Sequence, residues 1–102
     1  MTRPAGRNGP TLNALSHQAP VIPQLTIADI SHAVPLAEAL VAAGLPVLEI
    51  SLRTSAALPA IGLIGRVPGA FPGAGDVLNA REAAAARKAG AQFASAPGST
   101  HL

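Results

Sequence analysis

Two spacings of apolar residues alternate along the chain. Between Asp29 and Gly44 the apolar residues recur at intervals of three and four, which predicts an amphipathic helix with Asp29 or Ser31 as its cap. The next segment, 47–53, changes to a period of two and predicts a buried strand. Together these signals predict strands at 19–25, 47–53, 69–77 and 91–95, and helices at 29–44, 54–66 and 79–90.

Strand and helix follow each other three times in this pattern, and a fourth strand completes it. Such an order predicts an α/β fold built of parallel βαβ units with right-handed crossovers. Asn79, with Glu82 three residues later, predicts a capped start for the third helix. Four strands are too few to close a barrel, so we expect an open sheet with two bare edges.

The second predicted strand carries an acidic residue among apolar neighbours. Glu49 is costly to bury there unless it is paired or transfers protons. The alternation of a strand places Glu49, Ser51 and Arg53 on one face and the apolar residues between them on the other. We therefore predict a catalytic carboxylate at Glu49 and an anion-binding guanidinium at Arg53. A structural salt bridge between these two residues, or a surface strand end, explains them equally well.

A glycine-rich segment ends the third predicted strand. Gly73-Ala74-Gly75-Asp76 is interpreted as a turn whose backbone N–H groups approach an anionic substrate, with Asp76 pointing into the same mouth. Short glycine turns are more often only turns. Ala96-Pro97-Gly98 is a weaker signal of the same kind at the end of the fourth strand. The candidate substrate-binding residues are therefore Arg53, Gly75, Asp76 and Pro97.

The composition excludes several classes of protein. The 102 residues are 49% hydrophobic and 12% charged, with no cysteine, which argues against a disordered tail, a disulfide scaffold and a cysteine-based zinc module. A net charge of +2 from scattered basic residues argues against nucleic acid. No segment resembles a membrane span, and the three histidines lack ligand spacing. We predict a cytoplasmic protein without metal, cofactor or membrane contact, with a loose leader at 1–18 and one domain at 19–102.

Several segments of the chain, in order and nearly without gaps, carry a family resemblance. Four of them are Pro20-Val21-Ile22-Pro23, Val47-Leu48-Glu49-Ile50-Ser51-Leu52-Arg53-Thr54, Gly73-Ala74-Gly75-Asp76-Val77-Leu78 and Ala89-Gly90-Ala91-Gln92-Phe93. Together they resemble the 2-keto-3-deoxy-6-phosphogluconate (KDPG) and 4-hydroxy-2-oxoglutarate (KHG) aldolases. The resemblance extends from about residue 19 to the C-terminus, and the Leu-Glu-x-x-Leu-Arg-Thr strand is its most specific part.

This resemblance implies both a fold and a reaction. Family members are (β/α)8 TIM barrels, usually trimers, so this chain corresponds to the N-terminal half of a barrel. They are carbon–carbon lyases of the Entner–Doudoroff pathway that release pyruvate and glyceraldehyde 3-phosphate through a lysine Schiff base. Glu49 matches the general acid/base of the carbinolamine and enamine steps, and Arg53 matches a residue that holds the pyruvate carboxylate. The implied partners are a small keto acid and either further copies of the chain or a partner half-barrel.

The sequence also departs from the family. Asp76 stands where the family has a carboxylate-binding threonine, and we expect this acid to repel an anionic ligand. Pro72 falls where a barrel strand donates a hydrogen bond, and Gly62 and Gly65 loosen the second helix. The Schiff-base lysine belongs to a sixth strand beyond these residues, and Lys88 matches a surface position. We predict an aldolase-like half that is inactive alone; a keto-acid-binding module and a non-functional remnant stay open as alternatives.

Overall fold

The computed structural model describes residues 22–97 and 100–101. Strands and helices alternate through most of this region, as the apolar spacing predicts. The leader at 1–18, the domain boundary after it and the start of the first predicted strand lie outside the described residues. The elements are β1 (Gln24–Leu25), a 3-10 turn (Ile30–His32), α1 (Ala33–Ala42), β2 (Val47–Ser51), α2 (Ala57–Ile64), β3 (Phe71–Gly75), α3 (Ala80–Ala89), β4 (Ser95–Ala96) and β5 (Thr100–His101).

The first three strands form a parallel sheet in the order β1-β2-β3. Glu49 lies opposite Gln24 on one side and opposite Gly73 on the other. Ala94 continues the parallel pairing on the far edge of β3, where it forms a bridge with Ala74. The prediction of parallel βαβ units is therefore confirmed.

The fourth strand differs from its predicted range of 91–95. The backbone from Gln92 to Ser95 follows the edge of β3, but the regular strand is Ser95–Ala96, which pairs antiparallel with Thr100–His101. The chain therefore turns back in a short hairpin at this edge of the sheet. Apolar spacing could not predict this hairpin, because a strand has hydrogen-bonding groups along both edges and its side-chain pattern does not show which edge is paired.

The predicted caps lie before the 3-10 turn and at both ends of α3, whereas α1 begins after His32 without a side-chain cap. Asp29 accepts the Ser31 N–H at 2.9 Å before the 3-10 turn, and Asn79 accepts the Glu82 N–H at 2.9 Å at the start of α3. Gly90 ends α3 in the left-handed conformation, with φ of 118°, which glycine adopts without steric cost. These sequence signals work because each one satisfies backbone groups that a helix end leaves without partners.

The second helix is shorter than its predicted range of 54–66. α2 covers Ala57–Ile64, because residues 52–56 form the turn that leaves β2. The Thr54 hydroxyl donates to the Ile27 carbonyl at 2.5 Å and ties this turn to the segment after β1. Pro59 consequently lies in the first turn of α2, where a missing N–H is tolerated.

The hydrophobic core lies between the helices and one face of the sheet. Leu48, Ile50 and Ala74 form the sheet side and are fully buried. The helices contribute mainly alanine and isoleucine, so they approach the sheet closely: Ala33, Ala37, Ala57, Ala60, Ile61, Ile64 and Ala86. The predicted apolar face of β2 is confirmed, and its polar residues occupy the opposite face of the sheet.

Pro72 fits within β3 without breaking the sheet. Its carbonyl accepts the Gln92 N–H at 2.8 Å, and the Ala74 N–H donates to the Phe93 carbonyl at 2.9 Å, so an N–H at position 72 would face the same edge. The donor that proline lacks falls before the bridge between Ala74 and Ala94. β3 keeps its full register with β2, from Phe71 to Gly75.

Candidate functional site at the end of the parallel strands

Glu49 is held in the middle of β2 with its side chain lying over β3. Its exposed fraction is 9%, which removes the interpretation of a surface strand end. A Cβ atom added to Gly75 would lie 2.6 Å from the Glu49 Oε2 atom and 2.9 Å from its Cγ atom. Gly75 therefore makes room for the carboxylate, and the close approach of another side chain is a common reason for glycine inside a strand.

Gly73 has the same relation to Phe93. The two glycines are on the same face of β3, and a Cβ atom on Gly73 would overlap the Phe93 ring. The interpretation of 73–75 as a turn with open N–H groups is therefore wrong. These residues are strand residues, and the Ala74 N–H already donates to the Phe93 carbonyl. Two glycines on the same face of a strand could have indicated that side chains from neighbouring segments lie over that face. The glycine-rich composition suggested a turn instead.

Arg53 lies at the rim of the sheet and contacts the start of α3. β2 ends at Ser51, so the strand alternation does not extend to Arg53, which is part of the following turn. The guanidinium Nη2 donates to both carboxylate oxygens of Glu82, at 2.6 and 2.7 Å. The side chains are 42% and 29% exposed, respectively. The sequence identified Glu82 only as a helix cap, because spacing along the chain cannot reveal a partner 29 residues from Arg53.

Hydrogen bonds shift the pKa of both partners in this ion pair. The hydrogen bond from Arg53 lowers the pKa of Glu82, and the Leu78 N–H, which donates to Glu82 Oε1 at 2.9 Å, lowers it further. The hydrogen bond to Glu82 raises the pKa of Arg53, with a smaller contribution from the charge of Asp76. Both groups therefore keep their charges throughout the neutral range.

Asp76 is fixed by a hydrogen bond from β2. The Ser51 hydroxyl donates to Asp76 Oδ2 at 2.8 Å, and the same oxygen of Ser51 accepts the Arg53 N–H at 3.3 Å. Asp76 has a φ of 53°, in the left-handed region that aspartate tolerates better than most residues. The structure thus brings Ser51, Arg53, Asp76 and Glu82 together at the rim formed by β2, β3 and α3.

The remaining candidates lie elsewhere. Pro97 is exposed in the turn after β4. Lys88 is exposed near the end of α3, as the sequence predicts for a surface position. Within the described residues, no three His, Cys, Asp or Glu side chains form a group that could hold a metal ion. In the same part of the chain, no helix is long and apolar enough to cross a membrane.

The lowered pKa of Glu82 predicts a pH-dependent stability. Because the folded-state pKa is below the ordinary value of 4.5, the ion pair contributes stability above that pH and loses it as the pH falls through the folded value. We expect the parent chain to melt at a higher temperature than Glu82→Gln at pH 7, and this difference to shrink in acid. Melting followed by circular dichroism from pH 7 to 3 measures it. A constant difference across this range would contradict the prediction.

Comparison with known proteins identifies the family of the chain. A family model described as KDPG and KHG aldolase matches residues 12–102. The chain belongs to this aldolase family. The resemblance predicted from the strand motifs is thereby confirmed over nearly the whole sequence.

Relatives that are named as aldolases are identical to this chain at about half of the aligned residues. The chain is 52% identical over 89 residues to a 2-dehydro-3-deoxy-phosphogluconate aldolase of Zymomonas mobilis, covering 87% of this chain and 43% of that protein. It is 51% identical over 82 residues to a KHG/KDPG aldolase of Escherichia coli, covering 79% of this chain and 38% of that one.

Solved structures agree with these alignments. The 2-keto-3-deoxy-6-phospho-gluconate aldolase of Zymomonas mobilis superposes with a TM-score of 0.77 at 52% identity, covering 86% of this chain and 43% of that one. A KDPG aldolase of Legionella pneumophila, which captured pyruvate as a covalent carbinolamine, superposes with a TM-score of 0.72 at 45% identity, covering 79% and 40% respectively.

This aldolase-family chain spans less than half the length of the relatives that it matches. The matched region is their N-terminal part, and the structural neighbours are TIM barrels. The fold prediction of parallel βαβ units from the N-terminal half of a (β/α)8 barrel is therefore confirmed.

Proposed function

We propose that this chain provides the acid/base half of an aldolase site and binds a 2-keto acid such as pyruvate at the rim of β2 and β3. The observation that carries the proposal is the placement of Glu49, a carboxylate enclosed within a strand face and accommodated by Gly75. Arg53 lies four residues further, in the turn that follows the C-terminal end of the same strand. In α/β proteins that end is where ligands bind.

In this proposal each residue has a distinct role. Glu49 accepts a proton and returns it at the carbinolamine and enamine steps, through which the keto group of the ligand passes. This role is general acid/base catalysis. Arg53 donates hydrogen bonds to the ligand carboxylate, a charge-assisted contact that fixes the keto carbon relative to Glu49. Asp76 is hydrogen-bonded to Ser51, and its charge makes the rim less favourable to an anion than Arg53 alone would make it.

We propose further that a polypeptide of these 102 residues does not complete the aldol cleavage by itself. Lys88 is its single lysine. This residue is exposed and follows the basic Arg87 in the chain. A Schiff base needs a lysine beside the acid/base residue. The cytoplasm remains the proposed location, consistent with the absence of cysteine.

A binding module that assembles with another half-barrel is the second candidate. A groove between α3 and the segment before β4 favours it, because this groove lies beside the outer edge of the sheet. Its lining combines small, aromatic and polar residues: Ala83, Ala86, Arg87, Ala91, Gln92, Phe93 and Ala94. A further βα unit, from another copy or from a separate chain, would cover such an edge.

Ligand-dependent melting tests the proposed function. We expect the melting temperature of the chain to rise with pyruvate concentration, because a ligand that binds only the folded state stabilises it. Sodium acetate at the same ionic strength, which lacks the keto group, should give a smaller rise. Arg53→Lys should reduce the pyruvate effect, whereas Arg66→Lys, a matched change at an exposed position, should not. Circular dichroism is the appropriate probe, since the chain has no Trp or Tyr.

The outcomes separate the candidates. A discrete oligomer that tightens with pyruvate supports the binding module, and an aggregate that does not respond to pyruvate supports a non-functional remnant. Borohydride reduction in the presence of pyruvate should leave the chain unlabelled. Labelling that Lys88→Ala abolishes would show that Lys88 forms the Schiff base and would overturn the proposed inactivity.

A further inference from the structure

The ion pair between Arg53 and Glu82 connects the turn after β2 to the first turn of α3. We propose that Glu82 is a positioning residue for the keto-acid site: it holds the Arg53 guanidinium ready for a ligand carboxylate. This inference rests on the proposed function, because it assumes that Arg53 binds the ligand. It adds a residue that the sequence marks only as a helix cap.

Glu82 is itself fixed at both its backbone and its carboxylate. Its N–H donates to the Asn79 side chain at 2.9 Å, which sets its place in the first turn of α3. Its Oε1 atom accepts the Leu78 N–H at 2.9 Å and also contacts Arg53 Nη2 at 2.6 Å. A carboxylate held in this way is a rigid support for the long arginine side chain.

Arg53 is fixed near its backbone as well as at its guanidinium. Its N–H donates to the Ser51 hydroxyl oxygen at 3.3 Å, and that hydroxyl donates to Asp76 at 2.8 Å. A free arginine side chain samples many rotamers, and a ligand would have to restrict them on binding. Because Glu82 restricts them beforehand, the entropic cost falls on folding instead of on ligand binding.

The guanidinium retains donors for a ligand. Within the described residues, both hydrogen bonds of the Arg53 side chain to Glu82 use Nη2. Arginine has five N–H donors, so Nε and Nη1 remain available for a carboxylate of a keto acid. The geometry is therefore that of a supported binding residue, in which the internal carboxylate occupies one nitrogen.

Electrostatics and positioning predict opposite results when Glu82 loses its charge. Asp76 and Glu82 place two carboxylates near the Arg53 guanidinium, so removing the charge of Glu82 should favour an anionic ligand on charge alone. If Glu82 instead positions Arg53, removing its charge should weaken binding. The sign of the change in affinity thus separates a positioning residue from a competing internal anion.

The test compares pyruvate affinity in the full 102-residue chain and its variants. Glu82→Gln keeps the length of the side chain and an oxygen for the Leu78 N–H, but removes the charge that holds Arg53. We expect the dissociation constant for pyruvate to be roughly tenfold larger in this variant. It is measured from the rise of the melting temperature with pyruvate concentration. Glu38→Gln makes the same charge change at an exposed position of α1 and should leave the dissociation constant unchanged.

Nitrogen-15 NMR of the arginine Nε–Hε groups adds a direct readout of the Arg53 guanidinium that does not depend on the melting temperature. The Arg53 signal is assigned as the one missing in Arg53→Lys. Without pyruvate, Glu82→Gln should move this signal and Glu38→Gln should not. Glu82→Asp keeps the charge but shortens the side chain, so it should also weaken pyruvate binding, and it provides the test if the glutamine variant does not fold.

Each outcome decides one of the two proposals. Equal or tighter pyruvate binding by Glu82→Gln, or parent affinity in Glu82→Asp, overturns the positioning role and leaves the keto-acid site intact. A parent chain that binds no pyruvate, with an Arg53 signal that still depends on Glu82, overturns the proposed function and with it the positioning role. Weaker binding in both variants, together with a shifted Arg53 signal, supports the inference.

Discussion

Glu49→Gln is expected to lower kcat by a factor of about 10² to 10⁴ when this chain forms the first half of an active barrel. The suitable host is the Zymomonas mobilis aldolase, which shares 52% identity with the chain over the superposed region. Residues 22–97 would replace the matching segment of that enzyme. Glutamine preserves the size of the side chain over Gly75 but cannot transfer the proton, so the loss should appear in kcat. Steady-state cleavage of 2-dehydro-3-deoxy-phosphogluconate measures it.

Two control variants sharpen this experiment. Glu38→Gln removes the same charge from an exposed position of α1 and should leave kcat unchanged. Lys88→Ala should also leave kcat unchanged, because the host would provide the reactive lysine. An active chimera in which Glu49→Gln keeps full activity would contradict the acid/base role. An inactive chimera that folds would instead place the defect in the segment from this chain.

Gly73→Ala is expected to destabilise the fold by about 1 to 3 kcal/mol, the usual cost of overpacking a well-packed interior. The added methyl group would occupy the space of the Phe93 ring, and an aromatic ring cannot bend away as a flexible chain can. The ring must leave the face of β3, and the segment before β4 must move with it. Urea unfolding followed by circular dichroism measures the change in the free energy of unfolding.

The control for this substitution is another glycine with a different environment. Gly62 lies inside α2, and a Cβ atom there would be 3.5 Å from the Ala89 carbonyl oxygen, an ordinary contact. Gly62→Ala should therefore stabilise the chain by up to about 1 kcal/mol through helix propensity. In a Phe93→Ala background the Gly73→Ala penalty should largely disappear. A penalty that persists without the ring would contradict this account.

Glu49 and Arg53 illustrate how far sequence reasoning reaches into the site. An acidic residue among apolar neighbours marks Glu49 as a candidate, since burying a carboxylate is costly without a partner or a role in proton transfer. The same argument placed Arg53 on the strand face of Glu49, and there it was wrong. β2 ends at Ser51, and the arginine lies in a turn from which its side chain reaches Glu82. The end of a strand depends on its hydrogen-bonding partners, which a single segment does not contain.

The glycines of β3 illustrate what only the neighbouring strand decides. The sequence predicts a strand over 69–77, which β3 confirms, but the glycine-rich composition of 73–75 suggests a turn at the end of that strand. In the fold, the space of the missing side chains of Gly73 and Gly75 is taken by Phe93, from the segment before β4, and by Glu49, from β2. A strand of small residues is stable here because Phe93 and Glu49 cover the face that carries its two glycines.

The sequence by itself determined the order of strands and helices, the capped ends at Asn79 and Gly90, and the apolar face of β2. Each of these depends on residues close together in the chain, where periodicity and capping act directly. The tertiary structure alone decided which side chains meet at the rim: Arg53 with Glu82, Ser51 with Asp76, and Glu49 with Gly75. Those contacts join residues 25 to 29 positions apart, and parallel pairing with crossover helices brings them together.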